Sequence, residues 1–516
     1  TGNVRPDDET LVKFHGMYVQ DDRDRRAERA AKKLDKLYSF MIRLRIPGGV
    51  ISAEQWIATH EISEQFGTGT LKITTRQTVQ LHGLLKHQLR PTIQAFNTAK
   101  LDSIAACGDV NRNVIVSSHP QISAIHQQIY EYADKISTLL LPKTQSYYEV
   151  FIDGEKIYER SSEADPLYED RYLPRKFKIA IAIPPSNDVD VFTNDIGLIA
   201  IIENDVLKGF NIAIGGGLAT THGNPNTYSR LGSIIGFTDT EEKTLKAVYE
   251  ILTVQRDFGN RVDRKLSRLK YTVDKLTVEG FKKELENRIG FEFEPERKYT
   301  FTERSDRFGW EQNHQGKWFY TLFIEHGVVK PEQKQFLYEL AQQDISNFIF
   351  SGNQNLILGE IEDSNKSKVE ALLLQHNIEK QVSALRKNSM ACVALPTCPL
   401  ALAEAQRYLP ELVTKIEPIL AKYELSNDEI SIRMTGCPNG CGRPYVSELG
   451  FVGTGPEQYN FMLGGDRLGT RLNTIYKEKQ TESQILAEVD VLLGKYVNEK
   501  LENETFGDFT FRTILN

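Results

Sequence analysis

Two distant stretches of this chain have counterparts elsewhere in it. Ile73-Thr74-Thr75-Arg76-Gln77-Thr78-Val79-Gln80-Leu81 is echoed by Phe350-Ser351-Gly352-Asn353-Gln354-Asn355-Leu356-Ile357-Leu358, each reading as strand, polar turn and strand. Asn211-Ile212-Ala213-Ile214-Gly215-Gly216 is likewise matched by Asn460-Phe461-Met462-Leu463-Gly464-Gly465. Each copy of the second pair leads into an amphipathic helix with capping-box spacing. Asp239 and Glu242 precede Leu245, Val248 and Leu252, and Thr481 and Gln484 precede Ile485, Val489 and Leu492. A separation of roughly 250 residues is far too long for a solenoid repeat. The spacing predicts instead a duplicated α/β unit whose copies face each other across a shared cleft.

The 516 residues allow large buried cores, and a formal charge of -7 with 26% charged residues is ordinary globular composition. This excludes a disordered, collagenous or nucleic-acid-coating chain. The longest apolar runs, Ile179 to Ile183 and Ile196 to Ile202, fall far short of the ~20 residues of a bilayer span, and no basic-then-apolar leader is seen, so the expectation is a soluble cytoplasmic protein with no membrane or nucleic-acid partner. Residues 1–35 are highly charged and read as a solvated arm or exposed helix. Ile122, Ile125, Ile129, Ile136 and Leu140 predict a helix stopped by Pro142. The predicted division is an arm over 1–35, a strand-rich segment over 36–100, an α/β unit over 101–290, a second strand-rich segment over 291–370 and a second α/β unit over 371–516.

Of five cysteines, Cys107 stands alone and reads as a small core residue, while Cys392, Cys398, Cys437 and Cys441 crowd into the last quarter. Such a set suits a reducing compartment and metal binding. Cys392-x5-Cys398 and Cys437-x3-Cys441 offer four thiolates, enough for tetrahedral zinc or an iron–sulfur cubane. The first spacing is wider than zinc pairs usually have, which favours the cluster. Gly436, Pro438, Gly440 and Gly442 keep the backbone around the second pair open, able to aim N–H groups at sulfur.

Cations form the other signal. After Pro174-Arg175-Lys176-Phe177-Lys178, strand alternation places Phe177, Ile179, Ile181 and Ile183 on one face and Lys176 and Lys178 on the other, followed there by Ala180 and Ala182. Arg43 and Arg45 repeat the pattern before Pro47-Gly48-Gly49, and Arg112 in Asn111-Arg112-Asn113 offers a fork for an oxyanion. Arg76, Gln77, Gln80 and His82, with Arg261, Arg264, Lys265, Arg268 and Lys270, read as donors for a polycarboxylate. Gly215-Gly216-Gly217 lacks the spacing of a dinucleotide site, and no Walker lysine follows, so reducing electrons must come from elsewhere.

Together, the cysteine pairs with Thr435-Gly436-Cys437-Pro438-Asn439-Gly440-Cys441, Asn111-Arg112-Asn113, Leu173 to Lys178 and Asn211 to Gly217 resemble the sirohaem and iron–sulfur sulfite/nitrite reductase family, in its assimilatory sulfite-reducing branch. The likeness runs from about residue 13 to Gly507-Asp508-Phe509. It implies an α+β fold with pseudo-twofold duplication, two small strand-rich, ferredoxin-like segments and two larger α/β units around the cofactors. It implies that Cys392, Cys398, Cys437 and Cys441 hold a 4Fe–4S cluster and that Cys441 also ligates sirohaem iron. Arg43, Arg112, Lys176 and Lys178 would bind sulfite and deliver protons, while Arg76, Gln80, His82, Arg175, Arg268, Lys270 and Asn439 would contact the sirohaem. The implied activity is six-electron reduction of sulfite to sulfide, with electrons from an NADPH-dependent flavoprotein or a ferredoxin. Nitrite reduction on the same cofactors, and a non-catalytic zinc-binding protein, are the rival readings.

Overall fold

The computed structural model describes residues 2–118, 123–143, 149–152, 155–159, 165–169, 171–378 and 381–516. Four sheets dominate, and they come in two kinds. In the first small sheet the strands run Met17–Asp21, Tyr38–Arg43, Val79–Leu84 and Leu71–Ile73, all antiparallel. The second repeats that order with Gly309–Gln312, Trp318–Leu322, Leu356–Ile361 and Asn347–Phe350.

The large sheets match as closely. Ile115–Val116, Ile179–Ala182 and Ile196–Glu203 are parallel, and Val206–Ile214 and Ser233–Thr238 then add antiparallel. Ser389–Ala391, Ile432–Thr435, Leu449–Gly455, Gln458–Leu463 and Thr474–Gln480 follow the same pattern. Both repeats read from the sequence therefore lie on equivalent strands. A further hairpin, Glu149–Ile152 with Glu155–Glu159, stands apart from the four sheets.

The small sheets do not have separate cores. Phe40, Ile42, Leu71 and Leu81 of one and Tyr320, Phe348, Phe350 and Leu358 of the other belong to one buried cluster, in which Trp56 stacks on Phe348 at 5.0 Å. The strand Val50–Ile51, from the first half, completes the edge of the second sheet by pairing with Phe348 and Ile349. Each large sheet has its own core, one around Ile181, Leu198, Ile212 and Ile251, the other around Ile432, Phe451, Phe461 and Leu492.

Alternation along Phe177 to Ile183 is as expected. Phe177, Ile179, Ile181 and Ile183 enter the large core, and Ala180 and Ala182 enter a smaller cluster with Val189 and Ile199. The small side chains let that face be covered closely, which brings Lys176 and Lys178, on the same side, toward the molecular centre.

Two sequence expectations need adjustment. The helix Glu241–Phe258 is capped by Thr240, whose side chain accepts from the Lys243 N–H at 3.3 Å, because Thr240 has the extended backbone a cap requires. Asp239 pairs instead with the Lys243 ammonium at 2.8 Å. Residues 1–35 are not a free arm: Met17–Asp21 is an edge strand whose Met17, Gln20 and Asp21 are buried. The helix Ala124–Leu139 buries Ile129 and Ile136 as its periodicity predicts, whereas Ile122 lies outside the described residues.

Candidate functional site

The thiols come from two loops of the second large unit. One follows Ser389–Ala391 and bears Cys392 and Cys398; the other follows Ile432–Thr435 and bears Cys437 and Cys441. They are tied by the Gly436 carbonyl, which accepts from the Leu402 and Ala403 N–H groups at 2.7 and 3.0 Å. Gly436 cannot carry a side chain there: a Cβ would lie 2.5 Å from the Ala403 carbonyl oxygen and 2.6 Å from the Ala394 Cβ.

Donors point at sulfur. The Gly436 N–H and Thr435 Oγ1 reach Cys392 Sγ at 3.3 and 3.4 Å, and Asn439 Nδ2 reaches Cys437 Sγ at 3.5 Å. Burial, then the neighbouring Cys441, pushes the Cys437 thiol up to about 12; burial pushes Cys398 up to about 11. Such thiols are protonated without metal and release protons on binding it. Among the described residues no three His, Cys, Asp or Glu side chains gather closely enough for a single metal ion. Cys398 and Cys437 nevertheless feel the charge of Cys392 and Cys441, so the four thiols share one region of the molecule.

Cys441 opens onto a cavity between the halves, lined also by Thr75, Arg76, Lys176, Lys178, Arg268 and Asn439. Its cations are of two kinds. Arg268 is locked to the buried Asp195 by Nε and Nη2 at 3.1 and 2.7 Å, and Asp195 also accepts from the Lys178 N–H at 2.8 Å. Arg76 donates to Asn194 Oδ1 at 2.6 Å, to the Ile179 carbonyl at 2.8 Å and to the Asn113 carbonyl, while its buried Nε has no partner among the described residues. Burial, then Arg443, lowers Arg76 to about 9.

Lys176 and Lys178 are different. Neither ammonium has a hydrogen bond or ion pair among the described residues, and burial drives Lys176 down to about 7 and Lys178 well below the usual lysine range, Lys176 itself adding to the effect on Lys178. Unpaired cations of this kind, with an unsatisfied guanidinium N–H opposite, fit a polyanionic ligand: carboxylates for Arg76 and an oxyanion for the lysines.

The other expected residues are placed around this cavity rather than in its wall. Arg43 Nε donates to Gln80 Oε1 at 2.9 Å once that amide is oriented with its oxygen inward, and Arg43 Nη1 approaches Cys107 Sγ at 3.4 Å. Arg112 donates to the Gly108 and Ala106 carbonyls at 2.9 and 3.1 Å. His82 Nδ1 lies 3.0 Å from Gln20 Oε1, and burial, then Lys72 and Arg43, lowers its pKa to about 3, so its ring is neutral. Arg175 is 3.8 Å from Asp109. Lys270 is already committed: its ammonium donates to the carbonyls of Gly217, Ala219 and Tyr228, which fastens the Gly217–Ala219 segment beside the cavity.

Sequence reasoning missed three residues. Asn113 stitches the Ile46 and Arg76 backbones together through Nδ2 at 2.7 and 2.8 Å. Asp195 orders Arg268, and Thr75 Oγ1 donates to the Cys441 carbonyl at 3.3 Å. Asn113 stood within the Asn-Arg-Asn motif; the others had no local signal, because their partners lie 73 and 366 residues away in the chain.

A cavity lined by the Cys441 thiol and by the unneutralised Lys176 and Lys178, at the junction of two copies of one unit, suits redox work on an anion. Comparisons with known proteins agree. The model described as nitrite and sulphite reductase 4Fe-4S domain matches residues 131–293, in the first large unit, although the four clustered cysteines lie in the second. The nitrite/sulfite reductase ferredoxin-like half domain matches twice, at 32–99 and 311–376. The chain is 58% identical to the protein named sulfite reductase (NADPH) hemoprotein beta-component of Leptospira biflexa, over 99% of this chain and 93% of that one. It is 49% identical to the protein of the same name from Staphylococcus haemolyticus, over 99% and 90%. The structure of the NirA protein of Mycobacterium tuberculosis shares the fold, with a TM-score of 0.80 at 23% identity over 99% of this chain and 91% of that one. The chain belongs to the nitrite and sulfite reductase family. It is an oxidoreductase with the duplicated α+β architecture expected from its repeats.

Proposed function

We propose that this chain is the haemoprotein component of an assimilatory sulfite reductase, reducing sulfite to sulfide by six electrons. The observation that carries the reading is the pair of unpartnered ammoniums, Lys176 and Lys178, facing a cavity that also receives Cys441. Cys392, Cys398, Cys437 and Cys441 would hold a 4Fe–4S cluster, and Cys441 would also face the sirohaem. Arg76, Arg268 and Asn439 line the space the macrocycle would take, with Gln80, His82, Arg175 and Lys270 around it. When bound, the two groups supply the electrons and an iron for the sulfur atom.

The chain's own residues do the rest. Lys176 and Lys178 bind the sulfite oxygens, stabilise the charge that builds on them and donate protons as those oxygens leave as water. Arg112 and Arg43, held by backbone carbonyls and by Gln80, extend that cationic surface. Asp195 keeps Arg268 and the Lys178 backbone in register, so that the lysine approaches from a fixed direction.

The relatives' names support an NADPH-dependent flavoprotein as the electron donor, with ferredoxin as the alternative to compare in reduction assays. No helix among the described residues is long and apolar enough to cross a membrane; work in the cytoplasm is part of the same proposal. The division into two strand-rich segments and two α/β units, with boundaries at 100, 290 and 370, is part of the same proposal.

The test is the visible spectrum of the purified protein before and after anaerobic reduction with sulfite. A chlorin-like red band that shifts with sulfite is expected, with sulfite turnover exceeding nitrite turnover. A colourless, zinc-containing protein from cells that make sirohaem would overturn the reading.

A further inference from the structure

The first cysteine loop is secured on its inner side by the second, through the Gly436 carbonyl and the contacts to Cys392 Sγ. Its outer side turns to solvent, with Leu400 63% exposed. Across that side runs the charged N-terminal segment. Arg23 Nη1 donates to the Ala401 carbonyl at 2.5 Å and the Cys398 carbonyl at 3.3 Å, and the Arg23 N–H reaches the Pro396 carbonyl at 3.3 Å.

The neighbours of Arg23 secure it from both sides. Arg26 holds the buried Asp21 through two hydrogen bonds at 2.5 and 2.7 Å, and Asp24 pairs with Arg407 at 2.7 Å. Arg25 instead pairs with Glu28 on an exposed face at 3.4 Å. Arg23 has no ion pair among the described residues, so its guanidinium is directed at loop carbonyls alone. A single Nη1 group that donates to two carbonyls three residues apart holds them together, and the Cys398 carbonyl belongs to a thiol-bearing residue.

We propose that Arg23 is a positioning residue that clamps the Cys392–Cys398 loop in its cluster-holding form, so that the N-terminal segment guards the cluster against loss. The inference rests on the reading of the four cysteines as cluster ligands. Without the clamp the loop opens on its solvent side, Cys398 leaves first, and the cluster becomes accessible to oxidant and chelator.

The test compares wild type with Arg23→Ala, Arg23→Lys and Arg25→Ala. Iron release from each purified holoprotein to a ferrous chelator in air is followed, together with alkylation of Cys398 by a maleimide in the apoprotein. Losing charge-assisted hydrogen bonds is expected to make Arg23→Ala release iron about tenfold faster and react about tenfold faster at Cys398. Arg23→Lys should recover most of the difference, Arg25→Ala should match wild type, and the apoprotein melting temperature should be unchanged. Wild-type rates in Arg23→Ala would overturn the clamp. Failure of the cluster reading would show separately as wild-type protein without iron, and the Cys398 alkylation rates would then decide the clamp by themselves.

Discussion

Among the described residues, Lys176 and Lys178 are the cavity's cations without an internal partner, and this separates residues that act on a ligand from residues that organise the wall. Arg268 and Lys270 carry charge as well, but Asp195 and three backbone carbonyls use it. Lys178→Ala should therefore leave the cofactor spectrum intact while lowering kcat for sulfite by about 100-fold, the scale seen when one preorganised electrostatic donor is removed. Steady-state kinetics beside the absorption spectrum would check it; full activity would remove Lys178 from the substrate site. Lys270→Met should do the reverse, destabilising the protein by about 1–3 kcal/mol, measured by urea denaturation, as the three carbonyls lose their donor. The sequence could not make this distinction. Alternation located the lysines' face, but the partner of each cation comes from a remote part of the chain.

At the scale of elements, duplication places matching backbone turns on either side of the molecular centre. Asp190 and Arg443 each have a left-handed backbone immediately before a short 3-10 turn, Val191–Thr193 in one copy and Pro444–Val446 in the other. The two side chains meet at 2.8 Å, and Arg304 and Arg433 reach the same carboxylate at 2.6 Å each. Burial alone would raise the Asp190 pKa, but Arg304, Arg433 and Arg443 hold it well below the usual carboxylate range. Asp190→Asn would leave buried guanidiniums without their counter-charge, at an expected cost of about 3–5 kcal/mol in urea denaturation. An unchanged midpoint would mean that the junction is held by packing alone. The repeat itself was legible, because strand alternation and Gly-Gly turns leave local patterns. What the copies do to each other was not, since Asp190 and Arg433 are 243 residues apart. For the same reason the edge strand Met17–Asp21 was hidden: its partner strand, not its own composition, buries it.

For the whole molecule, pooling two small sheets in one core and wrapping two large units around a cationic cavity makes stability depend on what neutralises that cavity. Burial lowers Lys72, Lys176 and Lys270 to about 7 each from 10.5. Between pH 7 and 10.5 the unfolded chain then binds more protons than the folded one, so these groups make stability rise with pH. Asp188 and Glu448 act oppositely, since burial raises them to about 6 and about 7, but their effect is complete by about pH 8. Above pH 9 the unfolded thiols ionise while Cys398 and Cys437, raised to about 11 and about 12, stay protonated, which slows the rise and turns it into a fall once the unfolded lysines also lose their protons near 10.5. The melting temperature of apoprotein should therefore climb from pH 7 to 9, climb more slowly to about 10.5, and turn down beyond. A bound polyanion beside Lys176 would raise its pKa and flatten the climb in the loaded protein. Thermal melts of both forms at one ionic strength would read this. A climb of equal size in both would show that the cofactor does not neutralise the cavity lysines, and no climb in either would show that those ammoniums are not desolvated.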